Sequence, residues 1–181
     1  MEKAVLFDLD GTLADTLPDL AAATNAALRE NGFPECPLGD YPHMVGNGAR
    51  LLVQRALHEA ATDDTVEQVL ASFLRIYDEL CLREVRLYPG IDETVRRLHE
   101  AGYHLLVVTN KPQQQADKIV RHFFGDTLFE GVYGGGSAYP KKPDPTSAQL
   151  ALRQGNADPA ASWFVGDSDV DVLTAKAAHL R

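Results

Sequence analysis

Ala4-Val5-Leu6-Phe7-Asp8-Leu9-Asp10-Gly11-Thr12-Leu13 opens the chain with apolar residues that run straight into two carboxylates, a glycine and a hydroxyl. An apolar run this short and unbroken reads as a strand of a parallel sheet, buried on both faces. In open α/β sheets, ligands sit beyond the carboxyl ends of the strands, where Asp8 and Asp10 fall. Side chains alternate along a strand, so Asp8 and Asp10 share one side while Leu9 takes the other. Two carboxylates this close are costly unless a cation lies between them. Gly11 permits a tight departure from the strand, and Thr12 can give a hydroxyl or a backbone N–H to an anion.

Beyond this stretch, Leu17 to Asn31 reads as an amphipathic helix, capped by Asp15 or Thr16, with Pro18 in its first turn and Asn31-Gly32 as its stop. Pro34, Pro37, Gly39 and Pro42 break the next segment into a loop. A helical pattern follows from Ala49 to Ala60. Another opens at Thr62-Asp63-Asp64 and carries Val66, Val69, Leu70, Phe73, Leu74, Tyr77 and Leu80 at spacings of three and four. From Pro89 onward, strands and helices alternate. Helices are expected over Ile91–Ala101, Pro112–Phe123, from Asp144 or Thr146 to near Gly155, and over Asp169–Ala178. Strands are expected over Tyr103–Val108, Phe129–Tyr133 and Ser162–Val165. This alternation predicts an α/β fold, a Rossmann-like doubly wound parallel sheet. Residues 1–15 and 86–181 would form its core, with residues 16–85 inserted as a helical domain.

At 181 residues, 45% hydrophobic and 24% charged, the chain suits one large domain or a core carrying an insertion. Its net charge of −9 argues against nucleic acid or an anionic membrane as a partner. No apolar run approaches the roughly 20 residues that span a bilayer. Met1-Glu2-Lys3 leads into the first strand without a signal-peptide pattern, so a cytoplasmic location is expected. Cys36 and Cys81 lack metal-ligand spacing and read as reduced packing residues.

The informative residues are the polar ones at the predicted strand ends. The first strand ends in Asp8 and Asp10, the second in Thr109 and Asn110, and the last in Asp167, with Asp171 one helical turn further. Lys141 and Lys142 lie in the loop before Pro143-Asp144-Pro145. Parallel strands bring these groups to one edge. Carboxylates, a hydroxyl and an ammonium in one place describe phosphoryl chemistry on a divalent metal. A carboxylate approaching a phosphate dianion is repelled by roughly 4 kcal/mol per charge pair at ~4 Å in a surface-like dielectric. A Mg²⁺ shared by the two, together with a lysine, turns that repulsion into attraction. Asp8, Asp167 and the backbone carbonyl of Asp10 are the hard oxygen ligands such an ion prefers.

In this order the motifs resemble the haloacid dehalogenase superfamily phosphatases. Asp8-Leu9-Asp10-Gly11-Thr12-Leu13 matches the first motif, Thr109-Asn110 the second, Lys142-Pro143-Asp144-Pro145 the third, and Gly166-Asp167-Ser168-Asp169-Val170-Asp171 the fourth. The resemblance implies that Asp8 is a nucleophile forming an aspartyl-phosphate. Asp10 would protonate the leaving oxygen and later deprotonate the hydrolytic water. It further implies that Thr109 and Asn110 hold phosphate oxygens, that Lys142 pairs with Asp8 and the phosphate, and that Asp167 binds Mg²⁺, with Asp171 as a second ligand or an orienter. An acid at Asp10 implies ester hydrolysis or phosphomutase action, because the superfamily's ATPases carry threonine there.

The inserted helices resemble the small cap of one large subfamily. Asp15-Thr16-Leu17-Pro18-Asp19-Leu20 and Val45-Gly46-Asn47-Gly48-Ala49-Arg50 resemble its phosphoglycolate phosphatases. Gly46, Asn47 and Gly48 precede a helix start whose N–H groups could hold a carboxylate, assisted by Arg50 or Arg55. The expected partner is therefore a small phosphorylated metabolite, most of all 2-phosphoglycolate, acted on by a monomer or homodimer. The rivals are a β-phosphoglucomutase-like enzyme, a phosphatase of sugar phosphates, nucleotides or pyrophosphate, a receiver-like protein and a catalytically dead phosphate-binding protein. Such mutases carry a histidine soon after the first motif, and Asp15–Asn31 has none. Receivers place their phosphorylated aspartate after a middle strand, where Thr109 stands here. Family members usually continue with another strand and helix beyond the point that Arg181 occupies. The resemblance thus implies an exposed sheet edge and lowered stability at that end.

Overall fold

The computed structural model describes residues 2–136 and 139–181. Ala4–Phe7 forms β1, fully buried, at the centre of a parallel sheet. It pairs on one side with β4 (His104–Pro112) and on the other with β6 (Trp163–Val165). β5 (Gly131–Gly135) adds beside β4, giving the order β5-β4-β1-β6. Strand alternation sorts the core in two. Val5, Phe7, Leu105 and Val107 face one apolar cluster, and Ala4, Leu6, Leu106 and Val108 face the other. The first is covered by α4 (Ile91–Glu100) and α5 (Gln113–Phe124), through Val95, Ala116, Ile119 and Val120. The second is covered by α6 (Thr146–Gln154) and α7 (Asp169–Ala177), through Ala148, Ala151, Leu152 and Ala175. Each large buried side chain contributes about 1.5–3 kcal/mol, so both faces of β1 must be covered for it to hold its place.

The helical segment carries α1 (Leu17–Glu30), α2 (Ala49–Leu57) and α3 (Asp63–Leu80). It is bracketed by β2 (Ala14–Asp15) and β3 (Arg86–Leu87), which pair antiparallel and which the hydrophobic pattern did not announce. Two residues of each strand are too few to carry a periodicity. A buried carboxylate strengthens this neck, with Asp19 accepting the N–H groups of Glu84 and Val85 at 3.0 Å. Thr16 does not cap α1 with its side chain. Its hydroxyl goes instead to Asp10, and Asp15 takes the Leu17 N–H at 3.2 Å. α3 buries Val66, Val69, Phe73 and Tyr77, the stripe expected from their spacing, and starts in a capping box between Thr62 and Thr65.

Some boundaries differ from expectation. α2 stops at Leu57, where His58 turns left-handed (φ 49°), and a short 3₁₀ turn completes His58–Ala60. β4 does not end at Thr109-Asn110 but continues to Pro112. β5 is shifted into the glycines, because Phe129 is drawn into the core against Phe7 and Phe124. Those glycines let β5 approach β4 and the start of α5 closely. A Cβ on Gly135 would lie 2.7 Å from the Asn110 carbonyl oxygen, and one on Gly134 would lie 2.5 Å from Gln113 Cα.

Candidate active site

The carboxyl ends of β1, β4 and β6 meet at one edge, and the predicted polar residues meet with them. Asp8 continues β1 by giving its N–H to the Val165 carbonyl at 2.9 Å. Its Oδ1 accepts the Leu9 N–H at 2.7 Å and the Lys142 ammonium at 2.9 Å. Lys142 Nζ also donates to Asp171 Oδ1 at 2.6 Å and lies 5.4 Å from the Phe164 ring centre. Asn110 holds Lys142 in place. Its Oδ1 takes the Lys142 N–H at 2.8 Å, and its Nδ2 donates to the Lys142 and Gly46 carbonyls at 3.2 Å. Thus one amide ties the loop that carries the lysine both to β4 and to the helical segment.

Asp167 stands exposed beyond β6 and accepts the Thr12 hydroxyl at 2.9 Å. Asp171, in the first turn of α7, accepts the Ser168 N–H and hydroxyl on its other oxygen at 3.0 and 2.5 Å. Asp8, Asp167 and Asp171 each present an oxygen within 4.8 Å of the others. Lys142 is the one ammonium paired with that group among the described residues. The imbalance appears in Asp8: burial, with Asp171 and Asp10 nearby, pushes its carboxyl up to about 6 in spite of Lys142. A hard divalent cation fits this all-oxygen, negatively charged donor set. The Asp10 side chain lies outside the group.

Asp10 is held differently. Its Oδ1 accepts the Thr16 hydroxyl at 2.6 Å and the ammonium of Lys111 at 2.7 Å. Its Oδ2 takes no hydrogen bond among the described residues. Lys111 escaped the sequence reading, which stopped at Thr109-Asn110. The signal was available in period two, since the third residue of a polar strand end returns toward the first. Lys111 is almost wholly buried, and its N–H goes to the Thr109 hydroxyl at 3.2 Å. One cavity is lined by Asp8, Asp10, Thr109, Asn110 and Lys111 from the core and by Gly46, Gly48 and Ala49 from the helical segment.

The structure does not bring the two arginines to the cavity lining. Arg50 points away from the cavity and pairs with Asp63 at 2.8 Å and Glu67 at 3.0 Å, on the exposed side of α2 and α3. Arg55 donates to the Met44 carbonyl at 2.9 Å. Asn47 is not among the residues that line the cavity. Helix phase explains Arg50: Ala49 and Leu52 face the cavity, which turns position 50 toward α3. The cation beside the glycines is instead Lys141, whose Nζ would lie 2.9 Å from a Cβ on Gly48. Arg50→Ala is therefore expected to leave kcat/KM within about twofold, as for other exposed pairs. A fall of about tenfold or more would return Arg50 to the site.

A family model of haloacid dehalogenase-like hydrolases matches residues 5–181. A phosphoglycolate phosphatase of Pseudomonas putida is 40% identical over 186 aligned residues, covering the whole chain and 68% of its own length. Phosphoglycolate phosphatase 1 of Pseudomonas aeruginosa is 36% identical, again over the whole chain and 68% of its own length. The crystal structure of a predicted phosphoglycolate phosphatase from Haemophilus somnus superposes with a TM-score of 0.90 at 36% identity, covering 99% of this chain and 83% of that one. With its motifs converged at one sheet edge and its whole length matched, the chain belongs to the haloacid dehalogenase-like hydrolases.

Proposed function

We propose that the chain is a Mg²⁺-dependent phosphate monoester hydrolase that works through an aspartyl-phosphate at Asp8 and takes 2-phosphoglycolate as its substrate. The observation that carries this reading is the buried Asp8–Lys142–Asp171 array, beside an Asp10 that is held by other donors. Asp8 attacks phosphorus and the ester P–O bond breaks. Asp10, through its free Oδ2, gives the leaving oxygen its proton. Asp10 then takes a proton from a water that attacks the same phosphorus, which returns the Asp8 carboxylate and releases phosphate. Lys142 balances charge at Asp8 and the transferring group, and Thr109 and Asn110 line the phosphate's cavity. Asp8, Asp167 and Asp171, with the Asp10 carbonyl, would hold Mg²⁺. When bound, the ion neutralises charge between the nucleophile and the phosphate.

Residues 16–85 act in this reading as a cap over a core of residues 1–15 and 86–181, with β2, β3 and Asp19 as the neck. The relatives' names support 2-phosphoglycolate, and so does the cavity's chemistry. Its far wall is the α2 N-terminus behind Gly46 and Gly48, with the Lys141 ammonium beside it, a setting suited to a carboxylate. Among the described residues no helix is long and apolar enough to cross a membrane.

The test is phosphate release from a panel holding 2-phosphoglycolate, glucose 1-phosphate, a nucleotide and pyrophosphate, with Mg²⁺ or with chelator. Release from 2-phosphoglycolate is expected to lead the panel and to vanish with chelator. Turnover that survives chelation would end the Mg²⁺ assignment, and equal turnover of every ester would end the substrate assignment. Gly11 supplies a second check on the metal. A Cβ there would lie 2.4 Å from Asp167 Oδ2, and its φ of +80° disfavours any side chain by about 1–2 kcal/mol. Gly11→Ala is expected to raise the Mg²⁺ concentration needed for half-maximal activity by about 10–100-fold, the range seen when a ligand's support is disturbed. An unchanged Mg²⁺ titration curve would remove Asp167 from the ligand set.

A further inference from the structure

Tyr77 belongs to α3, in the helical segment, yet it reaches the site of the core. Its side chain is fully buried, and its ring stacks on Phe73, with centres 5.3 Å apart and planes 15° from parallel. Phe73 in turn lines the cavity that holds Asp8, Asp10 and Lys111. The Tyr77 ring centre lies 4.8 Å from Lys111 Nζ, and that ammonium donates to Asp10 Oδ1 at 2.7 Å. Lys111 is thus held between a carboxylate of the core and an aromatic face of the helical segment.

The hydroxyl is the second observation. Among the described residues, the Tyr77 hydroxyl is the buried side-chain polar atom that makes no hydrogen bond of full geometry, and the donor nearest to supplying one is the Lys111 ammonium. A buried hydroxyl short of a full hydrogen bond opposes folding, and phenylalanine would fill the same space without that cost. The charged groups that act on it most are Lys111 and Asp10. The position of Tyr77 is also secured from the core side. Its neighbour Asp78 accepts Gln114 Nε2 at 2.8 Å, Gln115 Nε2 at 3.0 Å and Lys118 Nζ at 2.6 Å through one carboxylate oxygen. Those donors sit on α5, directly after the end of β4 that carries Lys111. The seam between α3 and α5 therefore sets how closely Tyr77 approaches Lys111.

We propose that Tyr77 is a positioning residue: with its ring and hydroxyl it holds the Lys111 ammonium against Asp10, so that placement of the acid depends on the helical segment being seated. This rests on the phosphatase reading given above. Tyr77 would act through Lys111 and not on the phosphate itself, so its loss should lower kcat and leave KM nearly unchanged.

The experiment is a double-mutant cycle of Tyr77→Phe and Tyr77→Leu with Lys111→Met, reading kcat and KM on 2-phosphoglycolate with saturating Mg²⁺, alongside melting temperatures. Tyr77→Phe is expected to melt at or above wild type while kcat falls about threefold or more. Tyr77→Leu should lower kcat further, and in the Lys111→Met background neither substitution should lower it again. A Tyr77→Phe enzyme with wild-type kcat would overturn the proposal. So would a Tyr77→Leu effect of equal size with and without Lys111, which marks an independent packing role. A wild-type protein inactive on every ester would overturn the phosphatase reading and this inference with it, an outcome set apart by the activity of the parent protein.

Discussion

Asp8→Asn is expected to cut turnover by on the order of 10⁴-fold or more while making the metal-free protein more stable near neutral pH. The loss follows if Asp8 is the attacking oxygen, because an amide cannot form the acyl phosphate. The gain follows from burial. In the folded chain the Asp8 carboxyl is pushed up to about 6, first by burial and then by Asp171 and Asp10, above its ordinary value of 3.8. Between those two pH values the folded state holds a proton that the unfolded chain has released. Stability therefore falls as pH rises through this window and levels off above it. The deficit amounts to about 3 kcal/mol, from a displacement of about two pH units. Asparagine escapes that cost, and its carbonyl can still accept the Leu9 N–H and Lys142. Melting with chelator should therefore place Asp8→Asn above wild type at pH 7.5, with a gap that closes toward pH 4.5. A gap that widens on acidification would reverse the assignment. Saturating Mg²⁺ should narrow it at pH 7.5, since wild type gains a ligand that the variant binds less well.

How much of this was legible depends on where each residue finds its partners. β1 and its two carboxylates could be read directly, because an unbroken apolar run needs cover on both faces and Asp8 and Asp10 fall at its end. The helical segment was legible too, since α3 repeats its apolar stripe over several turns. Lys111 was not. A lysine at a strand end reads as solvated, and its burial depends on Asp10, far away in sequence, and on Tyr77 from a different layer. The setting of Arg50 was hidden for the opposite reason. Its charge suggested the substrate, but helix phase and two acidic neighbours on α3 decide where it points. The extension of β4 to Pro112 was hidden because glycines of β5 make room for it, and a glycine run by itself reads as a turn. Residues whose surroundings are local could be read; those defined by contact between layers needed coordinates.

Lys142→Met should be the most destabilising single change at the site, and its cost should depend on pH and on divalent cation. The side chain is almost completely buried, and its ammonium serves both Asp8 at 2.9 Å and Asp171 at 2.6 Å. Methionine fills the volume but leaves two buried carboxylates facing each other. Breaking a buried pair in this way costs about 3–5 kcal/mol. For a chain of this size that corresponds to a melting point lower by about 6–20 °C. The penalty belongs to the ionised carboxylates, so it should be largest near pH 8 and shrink toward pH 5 as the folded state takes up protons. A divalent cation supplies the missing positive charge to the same oxygens, so Mg²⁺ should raise the melting point of Lys142→Met by more than it raises that of wild type. Turnover should not follow that recovery, because in the proposed mechanism the ammonium also balances the charge that develops on the transferring phosphate; kcat is expected to stay about 10²–10³-fold down. Equal melting deficits at pH 5 and pH 8 would mean that Lys142 stabilises by packing alone. Full recovery of kcat with Mg²⁺ would mean that it carries no charge-balancing role in catalysis.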